Sequence, residues 1–217
     1  MLSHLFRSVV GVLAAGSLVF PFEGGFISLF DGKTLKGWIY VGEGTNGYHA
    51  QEGILICPDH ETGNLFSEQE YADFVLRFEF RLEEGSNNGL AIRSPLRNDA
   101  HLTGMEIQIL DDGASRYRGI LKPTQYHGSL YGVFPAKSGY LKPVGEWNQQ
   151  EVRVEGSRVR VTLNGTVILD ADLSTVSDPA VLKAHPGLRR SSGHVGFLGH
   201  KSRVEFRHIE IKELPTP

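Results

Sequence analysis

The chain has 217 residues, with 22 Lys and Arg against 25 Asp and Glu, and so a formal net charge of -3. A nearly neutral chain without a basic stripe argues against a nucleic-acid partner, and this length suffices for a domain with a full hydrophobic core. The single cysteine, Cys57, excludes an intramolecular disulfide, and it is expected to be a small core residue because it ends the apolar run Ile54–Cys57.

The first 22 residues differ in composition from the rest of the chain. His4 and Arg7 precede an almost wholly apolar run, Val9–Phe20, which is too short to cross a bilayer. A short basic start followed by such a run is typical of a secretory signal. We therefore expect residues 1–22 to be a signal peptide or an N-terminal anchor, and the protein to be exported, to the periplasm or the exterior. No later segment of the sequence is long and apolar enough to span a membrane.

After this start, short segments with alternating apolar and polar residues dominate. The clearest is Phe74–Leu82, in which every second residue is a large apolar one, a pattern typical of a half-buried antiparallel strand. Asn164–Gly165 predicts a two-residue hairpin turn between two further strands. The other segments expected to be strands are Phe26–Phe30, Trp38–Val41, Tyr48–Glu52, Ile54–Cys57, Leu90–Ser94, the stretch 104–111, Trp147–Glu155, Arg158–Leu163, Thr166–Leu169, His194–Leu198 and Arg203–Leu214. Many short strands joined by Gly-rich turns predict an all-β fold, a two-sheet antiparallel sandwich of jelly-roll type.

The stretch 104–111 carries the first candidate functional residues. Glu106 and Gln108 alternate with apolar residues, so both are expected on the open face of the sheet, about 7 Å apart. Arg93, on the neighbouring predicted strand, is expected on the same face. A carboxylate, an amide and a guanidinium on this face would form the floor of a binding cleft. The alternative is a solvated carboxylate that forms an ion pair with Arg93 or Arg77.

The spacing Glu106-x-Gln108-x-x-Asp111 is similar to the Glu-x-Asp-x-x-Glu of retaining β-sandwich glycosidases of the laminarinase and lichenase type. Such chemistry needs two carboxyl groups about 5–5.5 Å apart. Here the middle residue is an amide and the last is the shorter Asp, and residues five apart fall on opposite faces of an unbulged strand. Ordinary retaining hydrolysis is therefore disfavoured.

Two of the nine histidines, His127 and His200, lie in or beside glycine-containing turns, where backbone can approach a ligand closely. A loop histidine is more often a surface residue, so neither position is decisive by itself. The candidates for the aromatic platforms on which sugar rings stack are Tyr126, Tyr131, Trp147, Tyr117 and Trp38, and each is equally compatible with a place in the core. The sequence contains no nucleophile elbow, phosphate loop, zinc-ligand spacing or dinucleotide fingerprint.

Several longer motifs occur in a fixed order along the chain. Phe30–Trp38 reads Phe-Asp-Gly-Lys-Thr-Leu-Lys-Gly-Trp, and Asn88–Arg93 reads Asn-Gly-Leu-Ala-Ile-Arg. The others are Met105–Asp111, Tyr126–Gly132, Lys142–Asn148 and Val204–Ile211. Together they resemble the 3-keto-disaccharide hydrolase domain family, also named 3-keto-glucoside 1,2-lyase/3-keto-2-hydroxy-glucal hydratase. The resemblance covers residues 26–214 as a single domain.

The resemblance implies a concanavalin A-like jelly-roll sandwich, usually exported, whose substrate is a small sugar already oxidised at C3. Removal of the C2 proton by a base, β-elimination of the C1 leaving group and hydration then give net hydrolysis. The family's motif positions correspond to Arg93, Glu106, Gln108, His127 and His200. They imply His127 or Glu106 as the base, His200 as the leaving-group acid, and Arg93 with Gln108 as the groups that hold the keto and hydroxyl oxygens. A divalent cation on Glu106 and a histidine stays open as a cofactor, and the oligomeric state is undetermined.

One departure from the family pattern concerns His200. Relatives often read Gly-Leu-Gln-Asp-His-Gly where Gly196–Lys201 reads Gly-Phe-Leu-Gly-His-Lys. The histidine is kept, but the amide and the carboxylate before it are absent. The alternative function is therefore a non-catalytic carbohydrate-binding sandwich that keeps the cleft without the chemistry.

Overall fold

The computed structural model describes residues 24–215, so the predicted signal peptide or anchor lies outside the described residues and stays a prediction. Within that range there are thirteen strands and two short α-helices. In chain order they are β1 (Ile27–Ser28), β2 (Trp38–Val41), β3 (His49–Gln51), β4 (Ile54–Cys57), β5 (Asn64–Tyr71), β6 (Phe74–Leu82), β7 (Asn87–Ser94), α1 (Ala100–Thr103), β8 (Met105–Leu110), β9 (Trp147–Glu155), β10 (Arg158–Leu163), β11 (Thr166–Asp172), α2 (Pro179–Ala184), β12 (Gly193–Gly199) and β13 (Val204–Glu213). Neither helix of this range is long and apolar enough to cross a membrane.

The strands form two antiparallel sheets that pack face to face. The eight-stranded sheet has the order β11-β10-β9-β6-β13-β4-β3, with β1 paired to β13, and the five-stranded sheet has the order β2-β5-β12-β7-β8. Neighbouring strands are mostly distant in sequence, as in a jelly roll. The predicted all-β, two-sheet antiparallel sandwich is confirmed.

Aromatic side chains from both sheets fill the space between them. Phe78 of β6 meets Phe197 of β12 edge-on, with ring centroids 5.8 Å apart, and Phe197 stacks on Phe206 of β13 at 3.8 Å. All three are at most 1% exposed, and burying such a side chain contributes roughly 1.5–3 kcal/mol. Cys57 is buried in the same core, as predicted.

Strand β5 carries apolar side chains on both faces, which explains why the sequence pattern does not predict it. Leu65 points into the core between the sheets, whereas Phe66 packs on the outer face of the five-stranded sheet against Ala91 and Leu198. A strand that is apolar on both sides loses the alternation by which a half-buried strand is recognised.

A bulge near the end of β7 redirects Arg93, which was expected on the open sheet face. Two residues of β7 oppose Val195 of β12 alone, and Arg93 adopts a positive φ of 47°. Such a bulge turns a side chain away from its regular direction. The guanidinium reaches the end of the sandwich, donating to Asp73 Oδ1 at 2.7 Å and to the carbonyls of Ala72 and Gly156, each at 2.9 Å. Arg93 therefore ties the five-stranded sheet to the turns of the other sheet.

Candidate functional site

A cleft of about 240 Å³ lies at the outer face of the five-stranded sheet. Its floor is formed by β7 and β8, and its walls by the start of β5, by α1, by the loop after β8 and by the end of β12. Most of the side chains that line it are amides, imidazoles or hydroxyls. The lining residues are Thr62, Asn64, Asn87, Asn88, Asn98, His101, Glu106, Gln108, Tyr131, Leu198, Gly199 and His200.

Glu106 projects into this cleft because its strand neighbours, Met105 and Ile107, point into the core and are 2% and 0% exposed. Its side chain crosses over Gly89 of the adjacent strand. A Cβ at position 89 would lie 1.9 Å from Glu106 Oε1, so any residue other than glycine would force the carboxylate to move. No hydrogen bond or ion pair holds the carboxylate within residues 24–215.

Burial without a compensating partner raises the pKa of Glu106 from 4.5 to about 8. Desolvation disfavours the ionised carboxylate, and none of the residues that the structure describes places a cation or an N–H donor where it would offset that cost. A carboxyl group that titrates close to neutral pH is suited to taking up and returning a proton. A strongly shifted carboxyl in a cleft is also a recognised mark of a functional site.

Amide side chains surround the carboxylate and keep hydrogen-bonding capacity for a ligand. Gln108 Nε2 donates to Asn87 Oδ1 at 3.0 Å, which leaves the Gln108 oxygen and the Asn87 NH₂ group without a partner in the described chain. Asn64 Nδ2 donates to the carbonyls of Arg97 and Asn98 at 3.2 and 3.3 Å, which leaves its oxygen toward the cleft. A few fixed amides of this kind are what orient a polyhydroxylated ligand.

Two histidines stand on the wall of the cleft. His200 follows β12 and is exposed at the rim. His101 lies on α1, a four-residue helix that leaves no periodic signal in the sequence, so sequence patterns do not predict its place in the cleft. Burial lowers the pKa of His101, the Asp99 carboxylate opposes this, and His200 lowers it further. The ring of His101 also meets Tyr131 edge-to-face, with centroids 6.3 Å apart.

His127, a predicted base, lies in the core between the sheets and does not line the cleft. Its ring stacks on Phe80 at 5.1 Å and is 2% exposed. Nδ1 accepts the Leu110 N–H at 3.3 Å, so Nε2 carries the proton and donates to Gln150 Oε1 at 3.0 Å. Desolvation lowers the pKa of His127 to about 4, and both ring nitrogens are occupied. A buried neutral ring of this kind holds a loop against the core.

Three other predicted binding residues also lie outside the cleft. Arg93 forms the buried ion pair described above. Trp147 is on the outer face of the eight-stranded sheet, where the guanidinium groups of Arg81 and Arg207 lie over its ring at 4.8 and 4.1 Å. Tyr126 ends a short 3₁₀ turn and is absent from the cleft lining. Of the predicted residues, the structure brings Glu106, Gln108 and His200 together.

Within residues 24–215, no three His, Cys, Asp or Glu side chains are arranged to hold a metal ion. The cleft contains one carboxylate and two imidazoles, which are donor types that a transition metal accepts, so a divalent cation on Glu106 and a histidine stays a prediction.

Comparison with known proteins gives a consistent result. The family described as "3-keto-alpha-glucoside-1,2-lyase-like domain" matches residues 25–212. A protein of Bacteroides thetaiotaomicron named 3-keto-disaccharide hydrolase is 25% identical over 244 residues, an alignment that covers 91% of this chain and 82% of that protein.

Solved structures of the same architecture exist. A "Putative glycosyl hydrolase" from Parabacteroides distasonis is 28% identical with a TM-score of 0.75, over 87% of this chain and 99% of that one. A second so described from the same organism is 22% identical with a TM-score of 0.72, over 88% and 95% of the two chains, and shares the fold. The exoplasmic/lumenal domain of VIP36, in its Ca²⁺/Man3GlcNAc-bound form, shares only the fold: 12% identity and a TM-score of 0.51, over 85% and 88%. The predicted concanavalin A-like sandwich is thus confirmed.

Proposed function

The chain belongs to the 3-keto-alpha-glucoside-1,2-lyase-like domain family, and from that premise we propose that it cleaves glycosides whose sugar carries a ketone at C3. The observation that carries the proposal is the Glu106 carboxylate, which is desolvated, unpartnered and set in the floor of an amide-lined cleft. The B. thetaiotaomicron relative, whose name specifies a 3-keto-disaccharide, supports the substrate class.

A ketone at C3 changes what the protein has to do. It makes the C2 proton acidic, because the electron pair left behind spreads onto the C3 oxygen. Glu106 accepts this proton, the pair forms a C2–C3 enolate, and the enolate expels the C1 oxygen to leave a C1–C2 double bond. Water then adds its oxygen to C1 while a proton returns to C2. The sum is hydrolysis, carried out with one carboxyl group acting as base and then as acid.

The other cleft residues supply orientation and one further proton. The free amide groups of Gln108, Asn87 and Asn64 bind the sugar hydroxyls and hold C2 against Glu106. His200 stands at the open rim, where the leaving group departs, and protonates the departing C1 oxygen. Arg93 and His127 have no part in this scheme because their hydrogen bonds hold the sandwich together.

The surroundings of Asp111 favour this chemistry over ordinary retaining hydrolysis. Retaining enzymes need a second carboxyl group about 5–5.5 Å from the first. Glu106 is the one carboxylate among the residues that line the cleft. The Asp111 carboxylate instead accepts the Gly85 N–H at 2.8 Å, in the turn between β6 and β7. An elimination that needs a single carboxyl base fits this cleft better.

The second candidate function is a carbohydrate-binding sandwich without catalysis. The observation in its favour is Gly199, where a Cβ would lie only 2.6 Å from the Gly63 carbonyl oxygen. A side chain does not fit at this position without a shift of the backbone. Relatives often carry a carboxylate there, so His200 lacks the acidic neighbour that the family pattern has.

One experiment separates these functions. A 3-keto-disaccharide and its unoxidised parent are each incubated in deuterated water with the wild type and with Glu106→Gln. Cleavage of the keto-sugar alone, with deuterium at C2 and loss of both in the variant, is the expected result. Cleavage of the parent sugar would refute the elimination mechanism. Binding of the keto-sugar without turnover would favour the non-catalytic function, and a parallel reaction with a chelator tests for a metal requirement.

A further inference from the structure

Tyr131 is held beside Glu106 by backbone hydrogen bonding. Its N–H donates to the Glu106 carbonyl oxygen at 2.9 Å, and the preceding Leu130 pairs with Ile107 in an isolated antiparallel bridge. Because Leu130 is 1% exposed and points into the core, the alternation of an extended chain directs Tyr131 to the outer face. The phenol therefore lines the same cleft as the proposed base, at a position fixed by the backbone of that base.

The hydrogen bonds behind the phenol determine which way its proton points. The Lys122 backbone N–H donates to Gln125 Oε1 at 2.9 Å. A backbone N–H can only donate, so the amide oxygen must face Lys122 and the amide nitrogen must face away. That nitrogen donates to Tyr131 Oη at 3.0 Å.

The Tyr131 hydroxyl thus accepts from Gln125 and finds no acceptor of its own within residues 24–215. Because Tyr131 lines the cleft, its O–H is free to donate to a ligand bound there. Successive donors in such a chain polarise one another, so the hydroxyl becomes a stronger hydrogen-bond donor. The edge contact with the His101 ring, 6.3 Å between centroids, restricts rotation of the phenol.

We propose that Tyr131 is a catalytic hydrogen-bond donor to the C3 oxygen of the substrate, and that Gln125 is the residue that positions it. The inference rests on the function proposed above. As Glu106 removes the C2 proton, negative charge accumulates on the C3 oxygen, and the Tyr131 O–H donates to it without transferring its proton. When the C1 oxygen leaves, the electron pair flows back and the C3 carbonyl forms again. The hydrogen bond is strongest when the charge is greatest, which is what accelerates the step.

Three substitutions separate this role from a purely structural one. Tyr131→Phe removes the donor and keeps the ring. Gln125→Glu keeps the size and the acceptor for the Lys122 N–H, but sets a carboxylate oxygen against the phenol, so that the Tyr131 proton turns away from the cleft. Gln125→Met removes both hydrogen bonds of the amide, to the Lys122 N–H and to the phenol, without offering the phenol an acceptor, and serves as the control for loss of the amide.

The readouts are kcat and KM on a 3-keto-disaccharide, and hydrogen exchange at C2 in deuterated water. For Tyr131→Phe and Gln125→Glu we expect kcat to fall by about 10²–10³-fold with little change in KM, which is the usual effect of losing one oxyanion donor. C2 exchange should fall in parallel. Gln125→Met should lose less than about tenfold, since the phenol can still donate to the substrate.

Two results would overturn the assignment. One is a Tyr131→Phe variant that keeps the wild-type kcat, and the other is a Gln125→Met variant that loses as much as Gln125→Glu, which would make the residue a structural support. If the wild type leaves 3-keto-sugars intact, the proposed function and this inference both fall. If the wild type is active and Tyr131→Phe is equally active, only the inference falls.

Discussion

The proposed base predicts a specific dependence of the reaction on pH. Burial raises the pKa of Glu106 to about 8, so the carboxylate that takes the C2 proton is the minority form at pH 7. One pH unit below the pKa leaves roughly a tenth of the groups ionised, and two units leave roughly a hundredth. We expect removal of the C2 proton by Glu106, which precedes the step assigned to His200, to limit the rate. On that basis kcat/KM should rise about tenfold per pH unit below pH 8 and level off above it.

The assay is the initial rate of sugar release from a 3-keto-disaccharide, measured on both sides of that pH. Keto-sugars eliminate slowly in base without a catalyst, so the rate with Glu106→Gln serves as the blank at each pH. Trp147→Phe is the matched control, because its side chain lies on the other sheet and should leave the profile unchanged. A profile that is flat through neutral pH, or one whose midpoint lies near 4.5, the unshifted value, would refute the desolvated base.

Three further predictions concern the same residues and the ends of the sandwich. Gly89→Ala sets a methyl group 1.9 Å from Glu106 Oε1 and should lower kcat by about 10²-fold while the circular dichroism spectrum is kept; unchanged kcat would mean that the carboxylate can move freely. Because the folded state holds the Glu106 proton up to about pH 8 and the unfolded state releases it near 4.5, stability is lost as pH rises between these values. Glu106→Gln should therefore leave the melting temperature unchanged at pH 4 and raise it above pH 8; the opposite trend would contradict the assigned shift. Arg93→Met leaves Asp73 as a buried unpaired charge and should cost about 3–5 kcal/mol in urea unfolding, part of which Asp73→Asn in the same chain should restore; equal instability of the single and double variants would refute the pairing.

Sequence patterns predicted the parts of this fold in which one face of a strand is apolar and the other polar. Phe74–Leu82 has the predicted limits, and the alternation in β8 places Glu106 and Gln108 on the face where the cleft lies. Strand β5 is not predicted by this pattern, because its adjacent residues Leu65 and Phe66 are both apolar and are buried on opposite faces of the sheet.

Such patterns do not predict the position of a residue that depends on contacts with a segment distant in sequence. The regular alternation of β7 ends at the bulge opposite Val195, which contains Arg93. The sequence around Arg93 carries no signal that predicts this bulge. His127 looks like a loop residue in sequence, yet its loop folds back on β8, where the Gly128 N–H donates to the Gln108 carbonyl at 2.8 Å. His101 joins the cleft because α1 lies between two strands that happen to be neighbours.

The two tryptophans occupy positions that decide what an optical experiment on this protein can report. Trp38 is 8% exposed, stacks on Phe197 at 5.9 Å and donates to the Leu29 carbonyl at 2.8 Å. Trp147 lies outside the opposite sheet beneath two guanidinium groups. Neither indole borders the cleft, so the intensity of tryptophan fluorescence should change little when a sugar binds. The same signal should change strongly on unfolding. Replacing Trp147 by Phe would leave a single emitter in the core, and binding titrations will need calorimetry or a labelled ligand.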